Sequence, residues 1–224
     1  MPRRPKRQPV PDQEEIKKEF RGIKPLNSEQ NDYIKTIMNS DIIFAEGVAG
    51  SGKTAIACAI GAEFLQRGLV DRLIISRPSV GTEDVGYYPG NSQEKLFPYL
   101  MPLLTELNPF INVKTAIAQE KIMVIPINDM RGMTYKNSFV IIDEAENCSY
   151  RQLKMILTRF GNQSKLILTG DSEQSDLTGN AAYDFSLIID RIRPLTLVPE
   201  NKIAIVKLVK SVRHPIIERI LSVI

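Results

Sequence analysis

The sequence predicts an α/β fold in which a mostly parallel sheet carries helices on both faces. Short, β-branched apolar runs recur along the chain, and continuous apolar strands are typical of a sheet that is buried on both sides. Helical stretches separate these runs, which favours parallel pairing of the strands. The first run passes through a glycine-rich turn directly into a helix.

Length and composition narrow the classes of protein to which the chain can belong. It has 224 residues, of which 43% are hydrophobic and 25% are charged, as in a typical globular protein. This length supplies one sizeable core but not two full domains of about 150–200 residues each. Because no apolar run approaches the roughly 18 residues of a membrane span, we expect no membrane partner. Two distant cysteines and a single histidine argue against zinc sites and disulfide frameworks, and predict a cytoplasmic protein.

Charge is concentrated at the beginning of the chain. Residues 1–24 contain eight basic and four acidic side chains, whereas the remainder carries a net charge of −1. This stretch is rich in proline and poor in apolar residues, so we expect a basic disordered tail over 1–24 and a single domain over 25–224. The tail can touch phosphates or can simply improve solubility. Net charge alone does not predict a nucleic-acid partner for the domain.

The first elements follow one another in a regular order. Asn27 and Gln30 predict a capping box at the start of the first helix. Alanines favour the second helix, and Gly68 is a suitable residue to end it. In chain order we expect a helix, a strand, the glycine-rich turn, a helix and a strand, over 27–39, 41–46, 47–53, 54–66 and 72–76.

The second half of the chain is predicted to hold an insertion and four more strands. Residues 79–110 contain several prolines, which break regular structure, and one helical stretch near 93–107. Pro215 predicts the start of a last helix. The four strands are expected over 122–125, 139–142, 165–168 and 203–206.

The glycine-rich turn carries the first chemical motif. Residues 47–54 fit the pattern G-x-x-x-x-G-K-[ST] at every fixed position, between a strand and a helix. The glycines let successive backbone N–H groups surround phosphates, and the start of the following helix adds positive potential. We expect Lys53 to reach the β- and γ-phosphates and the Thr54 hydroxyl to bind Mg²⁺. The predicted nucleotide-binding residues of this loop are Gly47, Val48, Ala49, Gly50, Ser51, Gly52, Lys53, Thr54 and Ala55.

A second motif ends the strand predicted over 139–142, where four apolar residues are followed by Asp143 and Glu144. At the carboxyl end of a buried parallel strand, Asp143 can hold Mg²⁺ beside the phosphate loop. Glu144 can orient and deprotonate an attacking water, which predicts hydrolysis of the nucleotide. A kinase that transfers phosphate to a metabolite is the weaker alternative, because such an enzyme excludes water.

Polar residues also follow the strand predicted over 165–168. Gly170 and Asp171 are followed by Gln174, and side chains at this strand end can contact the γ-phosphate and report its presence. A simple turn explains the Gly-Asp pair equally well. As the third motif in the expected order, however, this segment predicts that Asp171 binds nucleotide and that Gln174 takes part in catalysis.

Several longer strings resemble those of the PhoH-like ATPases, over about residues 25–220. The strings are SRPSVG at 76–81, MRGMT at 130–134, DEAEN at 143–147, LTRFG at 157–161, TGDSEQSDL at 169–177 and VRHPII at 212–217. The chain departs from the family pattern at two positions. It has Glu146 where the family usually has glutamine, and Met133 where the family usually has arginine.

The resemblance implies a RecA-like P-loop NTPase fold, similar to the first motor domain of superfamily 1 helicases. It also implies a cytoplasmic ATPase that uses ATP and Mg²⁺, with RNA unwinding in some members. Related helicases place an adenine-reading glutamine where this chain has Gln30, and helix capping is the other interpretation of Gln30. The string NKIA at 201–204 lacks the aspartate of the guanine-reading pattern, so ATP is favoured over GTP.

Arginines supply the last candidates for catalysis. Arg159 and Arg213 are both candidates for a residue that neutralises charge on the transferring phosphoryl group, supplied from a neighbouring subunit. An ordinary surface arginine is the alternative for each. Arg77 is expected either to face phosphates or nucleic acid, or to pair with a local carboxylate.

One domain supplies only one wall of an ATP cleft of this class. We therefore expect identical subunits to supply the other wall, in a closed ring such as a homo-hexamer. The expected function is Mg-ATP hydrolysis coupled to work on single-stranded RNA or DNA. An ATP-driven switch that acts on a protein partner is the alternative, which the near-neutral domain favours.

Overall fold

One sheet of six strands runs through the part of the chain that the computed structural model describes, which comprises residues 23–78, 92–213 and 216. The strands are β1 Ile42–Gly47, β2 Arg72–Ser76, β3 Ile122–Val124, β4 Ser138–Ile142, β5 Lys165–Gly170 and β6 Ile203–Leu208. Their order across the sheet is β3-β2-β4-β5-β1-β6, and every neighbouring pair is parallel. The prediction of a parallel sheet is confirmed.

Helices cover both faces of this sheet. In the described residues they are α1 Ser28–Asn39, α2 Lys53–Gln66, α3 Ser92–Leu107, α4 Val113–Ala118, α5 Tyr150–Leu157 and α6 Asp184–Ile192. Helices α1 to α4 contribute to one apolar cluster, and α5 and α6 contribute to a second cluster on the opposite face. The predicted α/β class, with helices on both faces, is confirmed.

The strands hold these two clusters together. In β2, Leu73 and Ile75 belong to the first cluster and Ile74 to the second. Successive strand side chains point to opposite faces, so every residue of a central strand meets an apolar environment. This is the physical reason for the continuous apolar runs in the sequence.

Some elements differ from their predicted extent. α4 and α6 were not among the predicted elements, and α4 is only six residues long, too short for a clear helical period. β5 continues past residue 168 through Thr169 and Gly170. This extension is functionally relevant because it brings Thr169 into the candidate site.

Parts of three predictions concern residues outside the described ranges. The tail over 1–24 falls almost entirely in 1–22, the insertion includes 79–91, and the helix expected from Pro215 lies in 214–224, where only residue 216 is described. Ile23 packs against the first apolar cluster. Among the described residues, no helix has both the length and the apolar character needed to cross a bilayer.

Gly161 provides a test of how tightly the turn before β5 is packed. A Cβ at this position would lie 2.2 Å from the carbonyl oxygen of Tyr135. The backbone of Tyr135 is itself fixed, because its N–H donates to the carbonyl of Arg159 at 2.9 Å. Gly161→Ala is therefore expected to lower the free energy of unfolding by about 1–3 kcal/mol, measured by urea denaturation.

Gly68→Ala is the matched control for that substitution. Gly68 has φ +68°, and nothing lies within 4 Å of an added Cβ. Gly68→Ala is therefore expected to lower the free energy of unfolding by only about 1 kcal/mol, because alanine disfavours the left-handed backbone conformation. If Gly161→Ala loses no more stability than Gly68→Ala, the packing at Tyr135 is not a constraint.

Candidate nucleotide site

The candidate site lies where three neighbouring strands end at one edge of the sheet. Strands β4, β5 and β1 are adjacent and parallel, so their carboxyl ends meet. The phosphate loop, defined as residues 47–54, follows β1. Asp143 and Glu144 follow β4, and Asp171 follows β5. The three sequence motifs are therefore brought together by the strand order.

The backbone of the phosphate loop depends on its glycines, as Gly52 and Gly47 show. Gly52 has φ 87°, a left-handed conformation, and directly precedes α2. A Cβ at Gly47 would lie 2.1 Å from the carbonyl oxygen of Leu208 in β6. The loop also includes the predicted residues Val48, Ala49, Gly50, Ser51, Lys53 and Thr54, and Ala55 follows in α2.

The segment after β6 crosses the phosphate loop. We call residues 209–213 the C-terminal strap. The N–H of Val212 in the strap donates to the carbonyl of Gly50 at 2.9 Å. The Glu29 carboxylate, in the first turn of α1, accepts from the N–H groups of Val209 and Lys210 at 2.8 and 3.0 Å. The strap thereby links α1 to the loop.

Lys53 is folded onto the loop that it follows. Its Nζ donates to the carbonyls of Gly47 and Val48 at 2.5 and 2.9 Å, and the residue is buried. Burial lowers the pKa of Lys53, whereas the nearby carboxylates, with Asp171 the strongest, act to raise it. The ammonium therefore lies in a poorly hydrated pocket lined by carbonyls, in the position expected of a group that binds phosphate.

The two predicted metal ligands touch each other. The Thr54 hydroxyl donates to Oδ1 of Asp143 at 2.7 Å, and the Thr169 hydroxyl donates to the same oxygen, also at 2.7 Å. Neighbouring oxygens around an octahedral Mg²⁺ are about 2.9 Å apart, since Mg–O distances are about 2.0–2.1 Å. Thr54 and Asp143 therefore fit a Mg²⁺ ion. In the described residues, no group of three or more His, Cys, Asp or Glu side chains offers a metal site.

Glu144 is held in an unusual conformation beside this pair. Its backbone has φ 50° and ψ 44°, which is left-handed for a residue other than glycine. Its Oε1 forms an ion pair with the Arg77 guanidinium, which follows β2. Of the two interpretations of Arg77, pairing with a local carboxylate is the one found. Glu144 remains partly exposed, as a residue that contacts water must be.

The segment after β5 forms a small polar network. Gln174 Nε2 donates to Oδ2 of Asp171 at 2.7 Å, and the Ser172 hydroxyl donates to Oε1 of Glu46 at 2.7 Å. Asp171 is half-buried and Gln174 is exposed. Both predicted residues therefore lie at the correct sheet edge, and they contact each other.

Gln30 contacts the loop through its side-chain amide. Its Nε2 donates to the carbonyl of Ser51 at 2.9 Å, and its Oε1 accepts from the N–H of Leu26 at 2.8 Å. Asn27 Oδ1 caps α1 by accepting from the Gln30 N–H at 2.9 Å. Asn27 therefore caps the helix, as predicted. The Gln30 side chain accepts from the Leu26 N–H and not from the Asn27 N–H, so the capping box is incomplete. Reading of adenine by Gln30 stays a prediction.

The two candidate arginines lie at opposite edges of the sheet. Arg213, in the C-terminal strap, packs its side chain against Gly50, where a Cβ would lie 2.5 Å from its Nε. Arg159 lies in the connection that leads to the start of β5, where its carbonyl accepts from the N–H of Tyr135. Arg213 is thus placed at the phosphate loop of its own chain, and the supply of either arginine from a neighbouring subunit stays a prediction. Arg159 is remote from that loop.

Two residues outside the predicted set also lie in the site. The Thr169 hydroxyl donates to Oδ1 of Asp143, as Thr54 does. In the sequence, its position at the end of an apolar strand is the feature that could have predicted this role. Glu146 is one of the two departures from the family pattern. It is buried beside Gly170, at 6% exposure, and burial raises the pKa of its carboxyl to about 7.

Most of the chain is similar to proteins of a known family. The family model described as PhoH-like protein matches residues 22–224. The chain belongs to the PhoH-like protein family. A PhoH-like protein of Synechocystis sp. is 40% identical over 200 residues, which cover 86% of this chain and 59% of the relative. A PhoH-like protein of Bacillus subtilis is 32% identical over 218 residues, which cover 94% of this chain and 67% of the relative.

These PhoH-like relatives are longer proteins, since the chain spans about three fifths of the Synechocystis sequence. Among solved structures, the large terminase of a thermophilic bacteriophage is similar in fold. Its TM-score is 0.51 at 10% identity, over 82% of this chain and 46% of the terminase. The fold is thus an α/β, RecA-like P-loop NTPase fold, as predicted.

Met133 is the other position at which this PhoH-like chain departs from the family pattern. Its side chain is half-buried and packs against the second apolar cluster. Its Sδ lies 4.0 Å from the Tyr135 hydroxyl, which donates to it. An arginine at this position would have to leave that apolar contact, so methionine here serves packing.

Proposed function

We propose that the chain binds Mg-ATP, hydrolyses it and uses the free energy on single-stranded nucleic acid, with RNA as the first candidate. The observation that carries the proposal is the contact between Thr54 and Asp143 beside Lys53. These two side chains come from positions 89 residues apart. Their meeting at the phosphate loop supports the assignment of both as Mg²⁺ ligands in a nucleotide site.

Each side chain has a defined task in this mechanism. Lys53 binds the β- and γ-phosphates, and Thr54 and Asp143 would hold Mg²⁺, which would neutralise phosphate charge. Glu144 orients the attacking water and accepts its proton, using the oxygen that Arg77 does not hold. As water attacks, the bond between the γ-phosphorus and the bridging oxygen breaks, and ADP and phosphate leave as the products.

The polar network after β5 is the part of each chain that senses the γ-phosphate. Asp171 and Gln174 detect the γ-phosphate and transmit its loss, since the Asp171 carboxylate acts electrostatically on Lys53 of the loop and is bonded to Gln174. Gln30 supports the loop through Ser51 and is the candidate reader of adenine. ATP is the proposed nucleotide, since the guanine-reading pattern is incomplete at 201–204.

The proposed assembly is a homo-hexamer in which each subunit completes its neighbour's cleft. Arg213 supplies positive charge within one chain, because the C-terminal strap places it on Gly50. Arg159, at the opposite edge of the sheet, is the candidate for the arginine supplied to a neighbour. A cytoplasmic location and a basic tail over 1–24 complete the proposal and follow from the sequence.

Phosphate release with and without nucleic acid tests this function. Single-stranded RNA is expected to accelerate release at low salt, where contacts with phosphates are strongest. Specific activity is expected to rise with protein concentration as subunits assemble. No stimulation by RNA or DNA, with hydrolysis intact, would contradict the nucleic-acid role. It would favour an ATP-driven switch for a protein partner, which the −1 charge of residues 25–224 also supports.

A further inference from the structure

A buried hydroxyl group in the candidate site has no task in the proposed mechanism. Thr169 is the residue before the last in β5, and only 1% of it is exposed. It follows three apolar residues, 166–168, that belong to the two apolar clusters. Valine has nearly the same shape and buries no polar atom, so packing alone does not explain a hydroxyl group at this position.

This hydroxyl contacts a predicted metal ligand. Thr169 Oγ1 donates to Oδ1 of Asp143 at 2.7 Å and lies 3.5 Å from the carbonyl oxygen of Ile142, the last residue of β4. Strands β4 and β5 are parallel, with Ile142 opposite Leu168, so the pairing of the two strands places Thr169 beside Asp143. Because threonine is β-branched, its χ1 angle is restricted, and the strand therefore fixes the direction of the hydroxyl.

Asp143 is held by contacts from three elements. Thr54, in the first turn of α2, donates to the same oxygen, Oδ1, at 2.7 Å. The N–H of Asp143 donates to the carbonyl of Ser76, the last residue of β2, at 3.0 Å. Asp143 is 8% exposed, and hydrogen bonds to a carboxylate are shorter and stronger than those between neutral groups. Both the backbone and the side chain of Asp143 are therefore fixed.

The two hydroxyl groups on Oδ1 have different tasks in the proposed site. A hydroxyl group has one hydrogen to donate and two lone pairs, and the Thr54 oxygen would direct a lone pair to Mg²⁺. Thr169 lies in β5, outside the phosphate loop, and its hydroxyl is already committed to Asp143. The hydrogen bond from Thr169 can therefore hold the carboxylate in place while Thr54 binds the metal.

We propose that Thr169 is a positioning residue of the magnesium site, whose hydroxyl holds the Asp143 carboxylate beside Thr54. It acts through Asp143 and contacts neither the metal nor the nucleotide. Hydrogen-bond partners that orient metal ligands typically contribute about 10–100-fold to metal affinity. The inference rests on the proposed binding of Mg-ATP at the phosphate loop.

Nucleotide binding with and without metal tests this role. The full chain is titrated with a fluorescent derivative of adenylyl imidodiphosphate, a non-hydrolysable ATP analogue, in excess Mg²⁺ and in EDTA. The ratio of the dissociation constant in EDTA to that in Mg²⁺ measures what the metal contributes. Thr169→Val removes the hydroxyl and keeps the shape, so it should bind as the wild type does in EDTA. The ratio should fall by about tenfold or more.

Two further substitutions at this position separate the hydroxyl from packing. Thr169→Ser keeps the donor and should retain most of the wild-type ratio. Thr169→Ala removes the donor without placing a methyl group against Asp143, so it should lose the ratio as the valine variant does. The alanine variant also provides the test if the valine variant does not fold, and circular dichroism verifies the fold of each protein.

Ser164→Ala is the matched control, because it removes a buried hydroxyl from the opposite end of the same strand. Ser164 directly precedes β5 and is 4% exposed. Its hydroxyl donates to the carbonyl of Tyr135 at 3.0 Å and accepts from the N–H of Ser138 at 3.1 Å. Five residues of strand separate it from Thr169, roughly 16 Å. This variant should lose stability and keep the wild-type ratio.

The possible results separate the two proposals. If Thr169→Val and Thr169→Ala weaken binding equally in Mg²⁺ and in EDTA, or not at all, the ratio is unchanged and the positioning role is overturned. A loss in Thr169→Ser as large as that in Thr169→Val also overturns it, as does a wild-type ratio near one. Absence of nucleotide binding by the wild type in both conditions would instead contradict the proposed function.

Discussion

Replacing Glu144 with glutamine is expected to slow ATP hydrolysis by about 10²–10⁴-fold and to leave Mg-ATP binding close to that of the wild type. The amide keeps the shape of the side chain but cannot accept a proton from water. Binding is preserved because Lys53, Thr54 and Asp143 are unchanged. Single-turnover phosphate release and equilibrium binding of a fluorescent ATP analogue measure the two effects separately.

Glu173→Gln is the matched control for that change. Glu173 is an exposed glutamate two residues after Asp171, and its N–H donates to Oδ1 of Asp171 through the backbone alone. Its substitution should leave turnover unchanged. Turnover near the wild-type rate in Glu144→Gln would remove Glu144 as the group that activates water, and would direct attention to other carboxylates of the site.

Replacing Lys53 with alanine is expected to lower ATP turnover by about 10²–10³-fold. The ammonium is the positive side chain that the loop carbonyls of Gly47 and Val48 hold in place. Without it, charge that develops on the phosphates loses a fixed, poorly hydrated partner. Steady-state kinetics over a range of Mg-ATP concentrations would show the loss in both kcat and kcat/KM.

Lys154→Ala is a suitable control for Lys53→Ala, because Lys154 is an exposed lysine in α5, away from the phosphate loop. It should retain wild-type kinetics. Circular dichroism of Lys53→Ala would verify that the variant folds, since Lys53 begins α2. Unchanged turnover in a folded Lys53→Ala protein would contradict the assignment of residues 47–54 as the phosphate loop.

The sequence was sufficient for the architecture because local patterns determine it. Apolar runs such as 72–76 place side chains in both apolar clusters. Leu73 belongs to the first cluster and the next residue, Ile74, belongs to the second. Once the strands are parallel, residues that follow them meet at one edge. The meeting of Thr54 with Asp143 was therefore predictable from motif positions alone.

Other features of the site depend on contacts between distant segments. Arg213 reaches Gly50 because β6 pairs with β1 and the strap then turns over the loop, and no local pattern encodes that path. Glu146 is buried because Gly170 and Phe185 leave space for its carboxyl. In each case the decisive partner lies more than twenty residues away in the sequence.

The C-terminal strap has a mechanical consequence. Val212 donates a hydrogen bond to Gly50, and Glu29 accepts from Val209 and Lys210, so the start of α1 and the segment after β6 are both tied to the phosphate loop. A pull applied beyond residue 213 would load the hydrogen bond between Val212 and Gly50 before it reached β6 along the backbone. Tension on either segment would therefore act directly on the backbone of the phosphate loop.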